Sequence, residues 1–157
     1  MTTFTIHDSP VGPLLLTTDG TGLTGLHFAP HEVDASWKRD DVAFADVIRQ
    51  LDEYFAGART HFDIPLHPTG TPFQLKVWEQ LREIPYGETI SYGALARRVS
   101  SPNASRAVGL ANGRNPIAII IPCHRVIGAD GSLTGYGGGL DRKRFLLGLE
   151  VGAGRLL

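Results

Sequence analysis

Three short apolar-rich stretches open the chain, at Thr3–His7, Leu14–Thr18 and Leu23–Phe28. The turn-forming runs Ser9-Pro10-Val11-Gly12-Pro13 and Asp19-Gly20-Thr21-Gly22 separate them, so three strands are expected. The pattern then changes period. Phe44, Val47, Ile48, Leu51, Tyr54 and Phe55 fall at offsets 0, 3, 4, 7, 10 and 11, the signature of a helix over roughly 41–56, and Gly57 supplies its stop. A loop holding Pro65, Pro68 and Gly70 marks the expected boundary between one domain over 1–68 and another over 69–157.

The second part begins with Thr71-Pro72-Phe73-Gln74, a threonine cap with proline at the first helical position and glutamine three residues after the cap. The helix behind it should bury Phe73, Val77, Trp78 and Leu81 and end before Pro85-Tyr86-Gly87. Ser91 should cap a short helix running to Val99, Ser100–Asn103 should turn, and another short helix should span Ala104 to Ala111. Such a pair fits a helix-turn-helix with Arg106 on its second helix, or simply two packed helices. Ile117–Ile121 (IAIII), bracketed by Pro116 and Pro122, suits a fully buried strand or extended segment. After the glycine-rich loop Gly135–Gly139, a last helix from about Asp141 to Glu150 should bury Phe145, Leu146 and Leu149.

Composition adds bounds. The 157 residues are 42% hydrophobic and 20% charged, enough for one ordinary domain or two small ones. The start, MTTFTIHDSP, lacks a basic segment followed by an apolar core, and IAIII falls far short of the ~20 residues a membrane span needs. A soluble, cytoplasmic protein is the expectation. The net charge of −1 conceals a contrast: residues 1–70 hold four basic and ten acidic side chains, whereas 91–144 hold eight basic and two acidic ones. A polyanion partner for the second half alone would explain it.

Candidate chemistry centres on Cys123 in Ile121-Pro122-Cys123-His124-Arg125-Val126, the single cysteine of the chain. One cysteine excludes an internal disulfide and a cysteine-cluster metal site. It leaves a buried packing thiol or a nucleophile, and His124 and Arg125 supply the base or positive charge that a nucleophilic thiol needs. In an extended chain neighbouring side chains point to opposite faces, so a turn or a bridging water would have to connect Cys123 with His124. Glu150, expected to end the last helix where the macrodipole disfavours an acid, is a candidate orienting group for His124 or else a solvated surface acid. The glycine-rich loop matches no phosphate-binding pattern; around Tyr136 it allows close approach to a flat ligand.

The stretches PYGETISYGALA (85–96), SRAVGLANGRNP (105–116), IPCHRVIG (121–128) and TGYGGGLDRKRFLL (134–147), with Glu150, resemble the O6-alkylguanine-DNA alkyltransferases. That resemblance implies an α+β protein, with a ribonuclease H-like N-terminal α/β domain and an α-helical C-terminal domain carrying a DNA-binding helix-turn-helix. It implies suicide repair: the alkyl group of O6-alkylguanine, or of O4-alkylthymine, in double-stranded DNA passes to Cys123 in one irreversible turnover. By the same resemblance His124 is the water-bridged base, Glu150 its orienting acid, Asn115 the brace of the site and Tyr92 the phenol that donates to guanine N3. Arg106 would replace the flipped base, the carbonyls of Cys123 and Val126 would hold the guanine amino group, and Tyr136 would line the pocket. Arg125, Gly138, Ser91 and Ala107 complete the expected DNA- and base-binding set. Gly137 departs from members with serine there, keeping the backbone N–H used on O6 and widening the pocket. No metal or organic cofactor is required, and a monomer is expected. A papain-type hydrolase places its cysteine and histidine far apart in sequence, and non-catalytic alkyltransferase-like proteins lack the cysteine.

Overall fold

A computed structural model describes residues 1–99, 103–133, 136 and 138–155, the last three by backbone alone. Most of the turn expected over 100–103 therefore lies outside the described residues, as do Thr134, Gly135 and Gly137 of the glycine-rich loop. The chain divides into two compact units: Met1–Thr69 with Pro116–Ala118, and Gly70–Asn115 with Ile119–Leu157.

The first unit is built on a four-stranded sheet in the order β3-β2-β1-β4, with β1 Thr3–His7, β2 Leu14–Thr18, β3 Leu23–Phe28 and β4 Lys38–Arg39. β1–β2 and β2–β3 are antiparallel, Thr5 opposite Leu16 and Leu16 opposite Leu26, and β4 pairs parallel with β1. The fourth strand is too short and too charged to show in an apolar pattern. Central β2 has four consecutive buried residues, and Leu14, Leu16 and Leu26 are fully buried. Each contributes roughly 1.5–3 kcal/mol of apolar transfer free energy. A 3-10 turn at Val42–Phe44 leads into α1, Ala45–Phe55, which buries Val47, Gln50, Leu51 and Tyr54; Gly57, at φ +77°, ends it.

Residues 116–118 rejoin this unit. Leu26 donates its N–H to the Pro116 carbonyl at 2.9 Å and accepts from the Ala118 N–H at 3.1 Å. Here the structure corrects the expectation of a strand or extended segment over IAIII. All five residues are buried, but only Ile117 forms a bridge; 118–120 turn, and Ile119 adopts φ +71°. With prolines on either side unable to donate, five residues must be buried and redirected at once, so apolarity reports burial and not extension.

The second unit starts at α2, Pro72–Leu81, closed by the expected capping box: the Gln74 N–H donates to Thr71 Oγ1 at 3.1 Å, and the Thr71 N–H to Gln74 Oε1 at 3.0 Å. Val77, Trp78 and Leu81 are buried and Phe73 half-buried. α3, Tyr92–Arg98, is capped by Ser91, whose Oγ accepts the Ala94 N–H at 3.0 Å. α4, Ser105–Gly113, packs against both α2 and α3. The Trp78 indole N–H donates to the Ala111 carbonyl at 2.8 Å and pins the far end of α4. Two short parallel strands, β5 Ile90–Ser91 and β6 Val126–Ile127, tie the start of α3 to the segment after Cys123.

α5 runs from Leu140 to Arg155 and so passes well beyond Glu150. The residue sits inside the helix, and the expected penalty of an acid in the last turn does not arise. The buried face also differs from expectation. Lys143, Leu146 and Glu150 are buried at i, i+3 and i+7, whereas Phe145 is 41% exposed and Leu149 half-buried. α5 is oriented by polar groups that its apolar pattern does not reveal.

Candidate active site and nucleic-acid interface

Cys123–Arg125 form a 3-10 turn, so the alternation of an extended chain does not apply to Cys123 and His124. Both side chains are buried, with His124 fully inaccessible. The imidazole Nε2 lies 2.7 Å from Glu150 Oε2. Contact with a carboxylate assigns the proton to Nε2 and leaves the lone pair on Nδ1, which has no hydrogen-bond partner among the described residues. A buried nitrogen able to accept, one residue from the thiol, is what a general base requires.

Glu150 is held from several sides. Arg125 donates from Nε to Oε1 at 2.8 Å and from Nη2 to Oε2 at 2.9 Å, and the Gly87 N–H approaches Oε1 at 3.4 Å. Burial by itself would raise the carboxyl's pKa; the hydrogen bonds from His124 and Arg125 outweigh it and bring it to about 2. His124 is moved below the ordinary imidazole value, chiefly by burial, with Glu150 opposing. The thiol is pushed up by burial, while the Asn115 carboxamide, the Lys143 charge and the Tyr136 phenol pull it back. At rest the cysteine is therefore a protected thiol that needs a base to react.

Asn115 also donates from Nδ2 to the Ile121 carbonyl at 2.7 Å, so one side chain touches both the thiol and the approach to its turn. The Val126 carbonyl accepts from Lys143 Nζ at 2.6 Å, and that ammonium lies 6.0 Å from the Tyr136 ring centre. Gly138 accepts from Arg142 Nη1 at 3.1 Å. Tyr92, the first residue of α3, is half-buried, with its ring beside Gly109 of α4. Arg106 and Ala107 are exposed on the first turn of α4, and Arg97, Arg98 and Arg114 are exposed as well, giving the helix pair a basic surface.

Among the residues expected at the site, Cys123, His124, Glu150, Asn115 and Tyr136 come together, and Arg106, Ala107, Ser91 and Tyr92 lie on the helix pair. Arg125 does not join the DNA-facing group. It is 7% exposed, and its guanidinium is engaged by Glu150 and by the Ile84 carbonyl, 2.7 Å from Nη1. Sequence reasoning grouped it with the surface arginines because burial of a cation depends on a partner distant in the chain. It missed Lys143 and Asn112, both buried against the acceptor turn; Asn112 Nδ2 lies 3.4 Å from the Cys123 carbonyl. For Lys143 a signal existed, the spacing that stacks it with Leu146 and Glu150 on one helix face.

A sheet-based N-terminal unit, a basic pair of short helices and one buried thiol beside a histidine–carboxylate pair define a class: a DNA-binding protein with an intrinsic cysteine nucleophile. Residues 3–68 match the 6-O-methylguanine DNA methyltransferase ribonuclease-like domain, and residues 72–152 match the DNA binding domain of the same family. The chain belongs to the 6-O-methylguanine DNA methyltransferase family. It is 55% identical to the methylated-DNA–protein-cysteine methyltransferase of Methanosarcina acetivorans, over 94% of this chain and 97% of that one. The Mycobacterium tuberculosis protein of the same name is 56% identical over 91% and 88% of the two chains. A crystal structure of Mycobacterium tuberculosis OGT in complex with DNA superposes with a TM-score of 0.90 at 55% identity, covering 94% of this chain and 92% of that one.

Proposed function

We propose that this chain repairs O6-alkylguanine, and O4-alkylthymine, in double-stranded DNA by moving the alkyl group onto Cys123 in a single irreversible turnover. The observation that carries the reading is the buried thiol next to the hydrogen-bonded His124–Glu150 pair, in a unit whose exposed helix pair is basic. A base inside a duplex is out of reach of a buried sulfur, so the lesion must be extruded at a cost of a few kcal/mol. Exposed Arg106 enters the gap that extrusion leaves, and the arginines around it neutralise phosphates.

His124 Nδ1 takes the thiol proton through a bridging water, and the sulfur attacks the alkyl carbon in line. The S–C bond forms as the C–O6 bond breaks, Tyr92 donates its phenolic proton toward N3 so that guanine leaves neutral, and the proton taken up by His124 returns through water to the phenolate, so that both side chains end as they began. The carbonyls of Cys123 and Val126 receive the guanine amino group. Asn115 braces the thiol. A thioether offers water no leaving group, so the protein is consumed, acting as a monomer in the cytoplasm.

The test is intact mass after mixing with a duplex containing O6-methylguanine. One methyl group should appear per protein molecule and map to Cys123. Cys123→Ser should bind the duplex and gain nothing. Repair of several lesions by one molecule would overturn the reading.

A further inference from the structure

Arg125 faces inward, and its partners give it another task. Nε and Nη2 reach the two oxygens of Glu150 at 2.8 and 2.9 Å, Nη1 reaches the Ile84 carbonyl at 2.7 Å, and the Tyr86 ring centre lies 5.8 Å from the guanidinium carbon. The same carboxylate holds His124 Nε2 at 2.7 Å. Glu150 therefore bridges a permanent cation and a titratable ring.

An uncompensated carboxylate at that distance favours the imidazolium, since an opposite charge within ~4–6 Å moves a titrating group by about 1–3 units. The imidazolium carries protons on both nitrogens and can accept none. With Arg125 forked on Glu150, part of that charge is offset at the ring, although Glu150 still acts there more strongly than Arg125. Arginine suits this place because its planar fork meets both carboxylate oxygens and it does not titrate. Lys143 from α5 adds a second positive charge at His124, while the neighbouring Cys123 thiol and Tyr136 phenol, both pushed up by burial, are neutral at rest.

We propose that Arg125 is a positioning residue for alkyl transfer: by offsetting the charge of Glu150 it lets the buried His124 stay uncharged at rest, so that Nδ1 holds the lone pair that takes the thiol proton. This inference rests on the reading of His124 as the base. Glu150 orients the ring and stabilises the imidazolium when it forms; Arg125 prevents it from forming too early. Burial of the ring and the charges of Arg125 and Lys143 all act against protonation, with Glu150 acting for it.

The experiment follows the His124 imidazole by NMR against pH in the full-length protein, its signal assigned by loss in His124→Gln. Wild type, Arg125→Met and Arg125→Lys are compared. In wild type the ring should remain neutral well below the ordinary midpoint of ~6.5. Arg125→Met keeps most of the stem and removes the charge, so the midpoint should rise by roughly one to three units. Arg125→Lys keeps the charge without the fork and should recover much of the difference. The acid limb of alkylation by O6-benzylguanine should move upward with the midpoint, a shift that mere loosening of the fold would not produce.

A wild-type midpoint at or above ~6.5 would overturn the proposal, and needs no folded variant. Indistinguishable midpoints in wild type and Arg125→Met would do the same. Failure of wild type to transfer at any pH would overturn the functional reading instead, while the titration still judges the hold of Arg125 on the ring.

Discussion

Replacing Glu150 by glutamine keeps the volume of the side chain and removes one charge, which makes it a sharp probe of the buried network. The native carboxylate accepts from His124 at 2.7 Å and from Arg125 at 2.8 and 2.9 Å, with 1% of its side chain exposed. A carboxamide has one acceptor oxygen, so its NH2 must confront either the imidazole N–H or the guanidinium. Arg125 is then buried without a counter-charge. Removing one partner of a buried pair costs about 3–5 kcal/mol, a large part of the ~5–15 kcal/mol that holds a domain together.

Denaturant unfolding of wild type and Glu150→Gln gives the difference directly, and pH adds a second check. The Glu150 pKa is lowered to about 2 in the folded chain, so its contribution is present above the ordinary carboxylate value of ~4.3 and lost as pH falls toward 2. His124 is lowered as well, so its contribution is present above ~6.5 and declines as pH falls below it. Acidification should therefore weaken wild type in two stages, and the lower one should be smaller in Glu150→Gln, where the exposed carboxylates of Asp34, Asp41, Asp46, Glu53 and Asp130, also lowered by their hydrogen bonds, still contribute. Reaction with O6-benzylguanine should show a thiol of higher apparent pKa in the variant, with rate recovered at raised pH. A stability loss under ~1 kcal/mol, the size of an exposed pair, together with an unchanged acid profile, would refute the reasoning.

Arg106→Ala should slow repair of duplex DNA by about tenfold or more and affect reaction with free O6-benzylguanine far less, since extrusion concerns only the duplex; equal losses on both substrates would place Arg106 in the fold or the thiol's surroundings. Lys143→Met removes a buried cation that lowers the thiol pKa, so the alkaline rise of the O6-benzylguanine rate should move to higher pH, and an unmoved profile would show that the ammonium is not felt at the sulfur. Gly70→Ala puts a Cβ 2.6 Å from the Trp78 ring, which is buried and tied to Ala111, so the denaturation midpoint should fall by the equivalent of ~1–3 kcal/mol. An unchanged midpoint would mean that the loop before α2 yields.

Much of the frame was readable in advance because local chemistry dictates it. β1, β2 and β3 have the bounds that their turn residues mark, and α2 begins where Thr71, Pro72 and Gln74 satisfy its first N–H groups. Cys123, His124 and Glu150 were also legible as candidates: Glu150 was paired with His124 from its expected place at a helix end, a premise that α5 removes by running on to Arg155, and the resemblance implied the same pair. The direction of Arg125 was not legible. Its neighbours Cys123, His124, Val126 and Ile127 are largely apolar and hinted at burial, but its carboxylate partner lies 25 positions away.

Local signals determined where elements start and stop and which residue types could carry the chemistry, because a cap, a turn or a helical period is settled within a few residues. Tertiary structure decided which charges are buried. Lys143 and Glu150 lie on the inner face of α5 while Phe145 is left partly in solvent, and Ile119 turns the chain where five apolar residues suggested a strand. A charge can be buried only where a partner from a distant segment meets it, and such a meeting exists only once the chain has folded.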